Sequence, residues 1–228
     1  FRRVLFRSSS IISPKELRRI AVRSYEGKTL WVRLCQLSNG SYDANTSVSI
    51  WRDLELPNVA GYLPYSATIQ PGTYSSTNGR WELPSIDAAF SAVSTVFTYN
   101  RVLLYVDDYV IETASAYILT ATNISFQTST NTITQTTGDF TTKFEAHGYV
   151  KVTNSTGNDG IYEIASVSAL SMTLSSRTPL PLNIASGPSV TLTKASLYPY
   201  AIITEDPNIT LIDGQTQTYR IDLNTDDG

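Results

Sequence analysis

Apolar and polar side chains take turns along most of this chain. Leu30, Val32 and Leu34 alternate with Trp31, Arg33 and Cys35 in TLWVRLCQL, a period of two that predicts a half-buried strand. RVLLYV, Arg101 to Val106, is the strongest strand signal of all. Between them SVSIWRDLEL reads as another strand, followed by a loop through Pro57-Asn58 and the stretch Gly61-Tyr62-Leu63-Pro64-Tyr65. Thr77-Asn78-Gly79-Arg80 is hairpin-like. In WELPSIDAAFSAV the residues Leu83, Ile86, Ala88 and Phe90 are expected to face a core. One segment near the start departs from this period. Ser13 suits an N-cap, Pro14 the first helical position, and Glu16 completes an S-x-x-E capping box. Leu17, Ile20 and Ala21 then form an apolar stripe that Gly27 ends, which predicts one short N-terminal helix.

The composition changes near residue 119. All three tryptophans precede it, and from Leu119 to Ala195 the chain is rich in Ser and Thr and poor in charge. ISFQ, TITQ, YVKV, GIYEIASV, SMTLSS and SVTLTK are six short strand candidates. Gly157-Asn158-Asp159-Gly160 supplies a hairpin turn between two of them. Six short strands with a tight turn suit a small SH3-like or OB-like barrel. After Ala195 the chain resumes the pattern it has before Leu119, and Tyr198, Tyr200, Ile202 and Ile203 are expected to pair with Val102 to Val106. Residues 196–228 alone are too short for a core. The expectation is therefore an all-β protein: a jelly-roll-like β-sandwich from residues 9–118 and 196–228, with residues 119–195 inserted as a small β-barrel domain.

Composition narrows the function classes. Charged residues are 16% of the 228, Ser and Thr together about a quarter, and the formal net charge is −3. Phosphate contacts need clustered Lys or Arg, and Lys15, Arg18, Arg19 and Arg23 form only a short cluster suited to a solvated helix face; nucleic acid is not an expected partner. No apolar run approaches the roughly 20 residues of a membrane helix, so no membrane association is expected. A single cysteine, Cys35, excludes an internal disulfide and reads as a buried thiol. Five N-x-S/T tripeptides, at Asn39, Asn45, Asn123, Asn154 and Asn208, are discounted as chance in so Asn-, Ser- and Thr-rich a chain.

Catalytic patterns are sparse. His147 is the one histidine and falls in Glu145-Ala146-His147-Gly148, where a turn residue is expected. A His–Cys dyad would have to join His147 to Cys35 from two different domains. No GxSxG, P-loop, dinucleotide fingerprint, CxxC or HExxH is present. Asp107-Asp108 follows a strand and Asp226-Asp227 ends the chain, and neither forms a spaced carboxylate pair or an EF-hand pattern. No catalytic residue, metal or cofactor is expected. Fourteen tyrosines and three tryptophans could pack a core, stack on sugars or line an interface. Tyr62, Tyr65 and Tyr74 lie among Gly and Pro and are expected to be exposed as an interaction surface.

Gly61-Tyr62, the run Trp81 to Phe90, Asn100 to Asp107 and Asp213-Gly214-Gln215-Thr216 together resemble small virion proteins of tailed bacteriophages. Thr137-Gly138-Asp139-Phe140, Tyr149-Val150-Lys151-Val152 and Gly157 to Ser168 resemble a second module widespread in phage structural proteins, although His147-Gly148-Tyr149 stands where that module has Gly-Asp. The first eight residues, FRRVLFRS, translate a common sequencing-library adapter and are read as an artefact, which fits environmental DNA of an uncultured phage. Removing Arg2, Arg3 and Arg7 moves the net charge to −6 (14 basic against 20 acidic). The resemblance implies a non-enzymatic structural protein of the virion, in a head decoration, fibre or tail component. Such a protein would form homo-oligomers or assemble with other virion proteins. The alternative is a carbohydrate-binding module that docks exposed aromatics on a host surface glycan.

Overall fold

The computed structural model describes residues 2–4, 25–38, 42–57, 62–77 and 80–223. The chain divides into two compact units, one built from residues 1–108 and 198–228 and the other from residues 109–197. The helix expected between Ser13 and Gly27 lies outside the described residues up to residue 24, as do the basic cluster beside it and Asp226-Asp227.

The first unit is a β-sandwich. One sheet has the order β16 (Ala201–Leu211), β7 (Phe97–Val106), β2 (Thr29–Cys35) and β3 (Tyr65–Thr68), all antiparallel. The other pairs β17 (Thr216–Ile221) with β6 (Ile86–Ser91); on the far side of β17 lies the short parallel β1 (Arg2–Val4), which falls within the eight residues read as adapter-encoded. A hairpin of β4 (Thr73–Ser75) and β5 (Arg80–Glu82) completes it. Leu30, Val32 and Leu34 of β2 join Val102, Leu104, Ala88, Phe90, Tyr219 and Ile221 in one core. Leu83 and Ile86 belong to that core as their spacing predicts. Each fully buried large aliphatic side chain contributes about 1.5–3 kcal/mol. The return strand pairs with β7 through Ala201↔Leu104, Ile202↔Leu103 and Ile203↔Val102.

One element departs from its expected type. SVSIWRDLEL holds a helix, α1 (Val48–Asp53), and not a strand. The Ser47 side chain accepts from the Ser49 backbone N–H at 3.3 Å, which is an N-cap. Val48 and Trp51, three apart, are both fully buried, so the period that governs here is helical.

In the second unit β10 (Ile124–Gln127), β11 (Thr132–Gln135), β14 (Ser171–Leu174), β13 (Gly160–Val167), β12 (Tyr149–Thr153) and β15 (Val190–Ser196) follow one another through antiparallel pairs, with β9 (Ile118–Ala121) and β8 (Val110–Ile111) both on β15. All six strand candidates of this region are strands. Ile124, Phe126, Ile133, Phe140, Val150, Val152, Met172 and Leu192 are among the residues of its own core. The boundary expected at residue 119 lies ten residues upstream of that point, because Ile111 and Val110 pair with Ala195 and Ser196.

Candidate functional site

The three tyrosines expected at the surface do not form one site. Tyr62 is 1% exposed; its hydroxyl accepts from the Leu34 N–H at 3.0 Å and donates to Glu55 Oε1 at 3.2 Å. Its ring packs against Phe90 and Phe97. Tyr62 is therefore not at the surface: its ring finds apolar partners in the core while its hydroxyl reaches a backbone N–H and a carboxylate. Tyr65 is half-buried against the sandwich core. Tyr74 takes the place in β4 opposite Trp81, and the exposure expected of its side chain lies outside the described residues.

A cluster of charged and aromatic side chains gathers on the other face of β2. Arg33 Nη1 lies 2.7 and 2.6 Å from the two carboxylate oxygens of Glu55, and Arg33 Nε donates to the Tyr105 hydroxyl at 2.8 Å. Its guanidinium stands 4.7 Å from the Trp31 ring centre, and Trp31 stacks on Tyr105 at 6.4 Å, a cation–π arrangement. Trp31 Nε1 donates to Asp107 Oδ2 at 2.7 Å, and Lys28 pairs with Asp108 at 2.9 Å. A strand alternation that turns Leu30, Val32 and Leu34 inward turns Trp31, Arg33 and Cys35 outward, so the cluster follows from the period of two. An arginine inside the apolar run WVRLC is the sequence signal for this pair, and it is easily passed over.

What this cluster does is hold chain to chain. Glu55 bridges to Cys35 across the backbone, with Gln36 N–H to Leu54 O at 3.0 Å and Leu56 N–H to Leu34 O at 2.9 Å on either side. The segment carrying α1 is thereby fixed against the outward face of β2, with Trp51 fully buried and its carbonyl accepting from the Cys35 thiol at 3.6 Å. Burial, with the Glu55 charge second, pushes the Cys35 thiol up and also pushes the Tyr62 phenol up. Both groups are held protonated at neutral pH, the opposite of an activated nucleophile.

Other candidates also have structural partners. His147 sits in a turn of the second unit at φ +62 with its N–H on Ile164 O, while Cys35 belongs to the first unit. Asp159 Oδ1 accepts from the Ser155 N–H and Oγ, both at 2.7 Å, which shapes the turn between β12 and β13 and holds its carboxyl below the usual range. In the sandwich core the Tyr99 and Tyr219 hydroxyls lie 2.7 Å apart and Tyr219 donates to the buried Glu205 at 3.0 Å. At one end of the sandwich, two turns carry exposed aliphatic side chains. Val93 and Val96 lie on the β6–β7 turn and Ile212 on the β16–β17 turn. The turns are tied together by Ser94 N–H to Asp213 Oδ1 at 2.7 Å and Gly214 N–H to Ala92 O at 2.9 Å. Gly214 takes φ +81 at the third position of the Ile212–Gln215 turn, where glycine is strain-free. Comparison of the chain with protein-family models, curated proteins and solved structures yields no match.

Proposed function

We propose that this chain is a non-enzymatic structural protein of a tailed-phage virion that acts by self-assembly and protein–protein contacts. The observation that carries the reading is the braced tip of the sandwich. Val93, Val96 and Ile212 are each at least half exposed, yet the turns that hold them are locked to one another by backbone and Asp213 hydrogen bonds. An aliphatic surface held rigid in water suits a protein contact, since little ordering entropy remains to be lost on docking. Titratable groups at or near the core support it from the other side, because the buried Arg33, Tyr62 and Glu205 and the partly buried Glu55 spend their hydrogen bonds on joining segments of the fold. The phage resemblance falls on such structural elements too: Asp213-Gly214-Gln215-Thr216 covers the β16–β17 turn and the first residue of β17, and Gly157 to Ser168 spans the turn before β13 and that strand. The carbohydrate reading built on Tyr62, Tyr65 and Tyr74 loses Tyr62 to the core. Sedimentation velocity of the purified protein over a range of concentrations tests the assembly reading. Oligomers that dissociate when Val93, Val96 and Ile212 are changed to Ser are expected. A monomer at every concentration that also fails to join purified heads or tails of such a phage would overturn it.

A further inference from the structure

The edge of the second unit's sheet carries an uncharged polar depression. Strand β10 is the outermost strand, and the segment around residues 183–187 runs beside it. Phe126 N–H donates to Ile184 O at 2.8 Å, Ile184 N–H to Phe126 O at 3.0 Å, and Gly187 N–H to Thr122 O at 2.8 Å. Asn183 Oδ1 fixes the other end by accepting from the Thr128 N–H at 2.7 Å and hydroxyl at 3.1 Å. Between these ties lies a depression of about 530 Å³ lined by Ser125, Gln127, Ser129, Asn183, Ile184 and Ser186 among others. The depression opens widely to solvent, and that volume leaves room for a small ligand held at the surface.

Two features of this place set its chemistry. No lining residue carries a charge, so nothing there would anchor a phosphate, a carboxylate or an ammonium group. The neighbouring hydroxyls of the same sheet face are spent on one another, as Ser125 with Thr134 at 2.7 Å and Thr130 with Thr132 at 2.8 Å. By contrast, among the described residues Gln127, Ser129 and Ser186 make no side-chain hydrogen bond to the protein, and the Asn183 amide nitrogen is equally uncommitted. Two amides and two hydroxyls therefore line one depression with donors and acceptors to spare, beside the aliphatic Ile184. A ligand suited to that set has many groups that donate and accept at once, no charge, and a C–H face.

We propose that this depression binds a sugar unit of a neutral polysaccharide. The site lies wholly within the second unit and does not rest on the assembly reading. So shallow a site implies weak binding by one copy, in the millimolar range, which several copies displayed together would strengthen. Affinity electrophoresis of the full chain through gels containing dextran, glucomannan or galactan tests it, with alginate and heparin as charged counterparts. Retardation by at least one neutral polymer and by neither charged one is expected. Gln127→Ala, which removes no hydrogen bond within the protein, is expected to weaken that retardation about fivefold, and Ser186→Trp to abolish it by filling the depression. Thermal melts of both variants must match the parent, and Thr98→Val on the first unit, a surface control, must leave binding unchanged. Free migration in all three neutral gels, retardation only by the charged polymers, or full binding by a folded Gln127→Ala and Ser186→Trp pair would each overturn the proposal.

Discussion

Arg33 and Glu55, separated by 22 residues, meet through a single guanidinium nitrogen that contacts both carboxylate oxygens within 2.7 Å. Neither side chain is more than 14% exposed. In such a place, removal of one partner leaves a buried charge with nothing to balance it, at a cost of about 3–5 kcal/mol. Glu55→Ala is expected to lower the urea midpoint strongly, with Arg33→Ala similar. Replacing both by Leu is expected to recover much of the loss, because two apolar residues leave no uncompensated charge. If the double variant is as unstable as either single one, the pair contributes through some route other than mutual neutralisation.

Tyr62→Phe isolates the phenol from its ring. The aromatic contacts with Phe90 and Phe97 survive, while the Leu34 N–H loses its acceptor in a buried strand. A cost of about 1–3 kcal/mol is expected, read as a lower urea midpoint with an unchanged slope. A neutral result would show that Leu34 and Glu55 find water when the hydroxyl is gone.

How much of this can be read along the chain depends on the distance between partners. Strands β10 to β15 are visible because alternation is a local property of five or six residues. The burial of Tyr62 is not visible, because its partner Leu34 lies 28 residues away and its own neighbours, Gly61 and Pro64, describe a loop. Helix α1 hides behind its composition: Val, Ile and Trp favour strands, and only the Ser47 cap and the Val48–Trp51 spacing betray a single helical turn and a half. The boundary at residue 109 escapes notice because β8 is two residues long, too short to show any period. The polar depression is hidden for a related reason, since Gln127 and Asn183 come together only once the segment beside β10 has folded back.

Alkaline pH is expected to destabilise the first unit. Burial, the largest cause in each case, raises the Cys35 thiol from its ordinary 9.0 and the Tyr62, Tyr105 and Tyr219 phenols from their ordinary 10.0. A raised value means that the folded state keeps its proton where the unfolded chain has lost it. Stability is then complete below pH 9 and falls as pH rises past 9 to 10, with about one proton per group in the slope. Denaturation midpoints between pH 8 and 11 check this, and Tyr62→Phe is expected to flatten the fall by one group. Cys35 is likewise expected to resist a disulfide reagent at pH 8 until the protein unfolds.

Thr156 holds φ +56 on an exposed turn, a conformation that a β-branched residue adopts at a cost of about 1–2 kcal/mol. Thr156→Gly removes that strain and is expected to raise the melting temperature of the second unit by roughly 4–8 °C, the shift about 1 kcal/mol produces in a domain of this size. Entropy gained by the unfolded chain opposes this gain. A lower melting temperature would mean that the Thr156 side chain contributes more to the turn than its backbone costs.

The chain passes between its two units twice, near residues 108 and 197. On the side of the second unit, Ile111 and Val110 pair with Ala195 and Ser196. The incoming and outgoing segments thus close its sheet as antiparallel neighbours. On the side of the first unit, Leu104 pairs with Ala201 and the Tyr200 N–H donates to Leu104 O at 2.7 Å, so β7 and β16 also face each other where the chain leaves. Each unit has its own core. A polypeptide of residues 109–197 is therefore expected to fold alone with one cooperative transition. A shorter one of residues 119–195 would lack β8 and leave one edge of β15 unpaired at Ala195, and is expected to melt at a lower temperature. Joining Asp108 to Tyr198 through Asn-Gly, a two-residue turn suited to antiparallel strands, is expected to leave a folded sandwich. Circular dichroism melts of the three polypeptides decide it. If residues 109–197 stay unfolded alone, or the joined sandwich aggregates, the two cores depend on each other and the division into units describes geometry without describing stability.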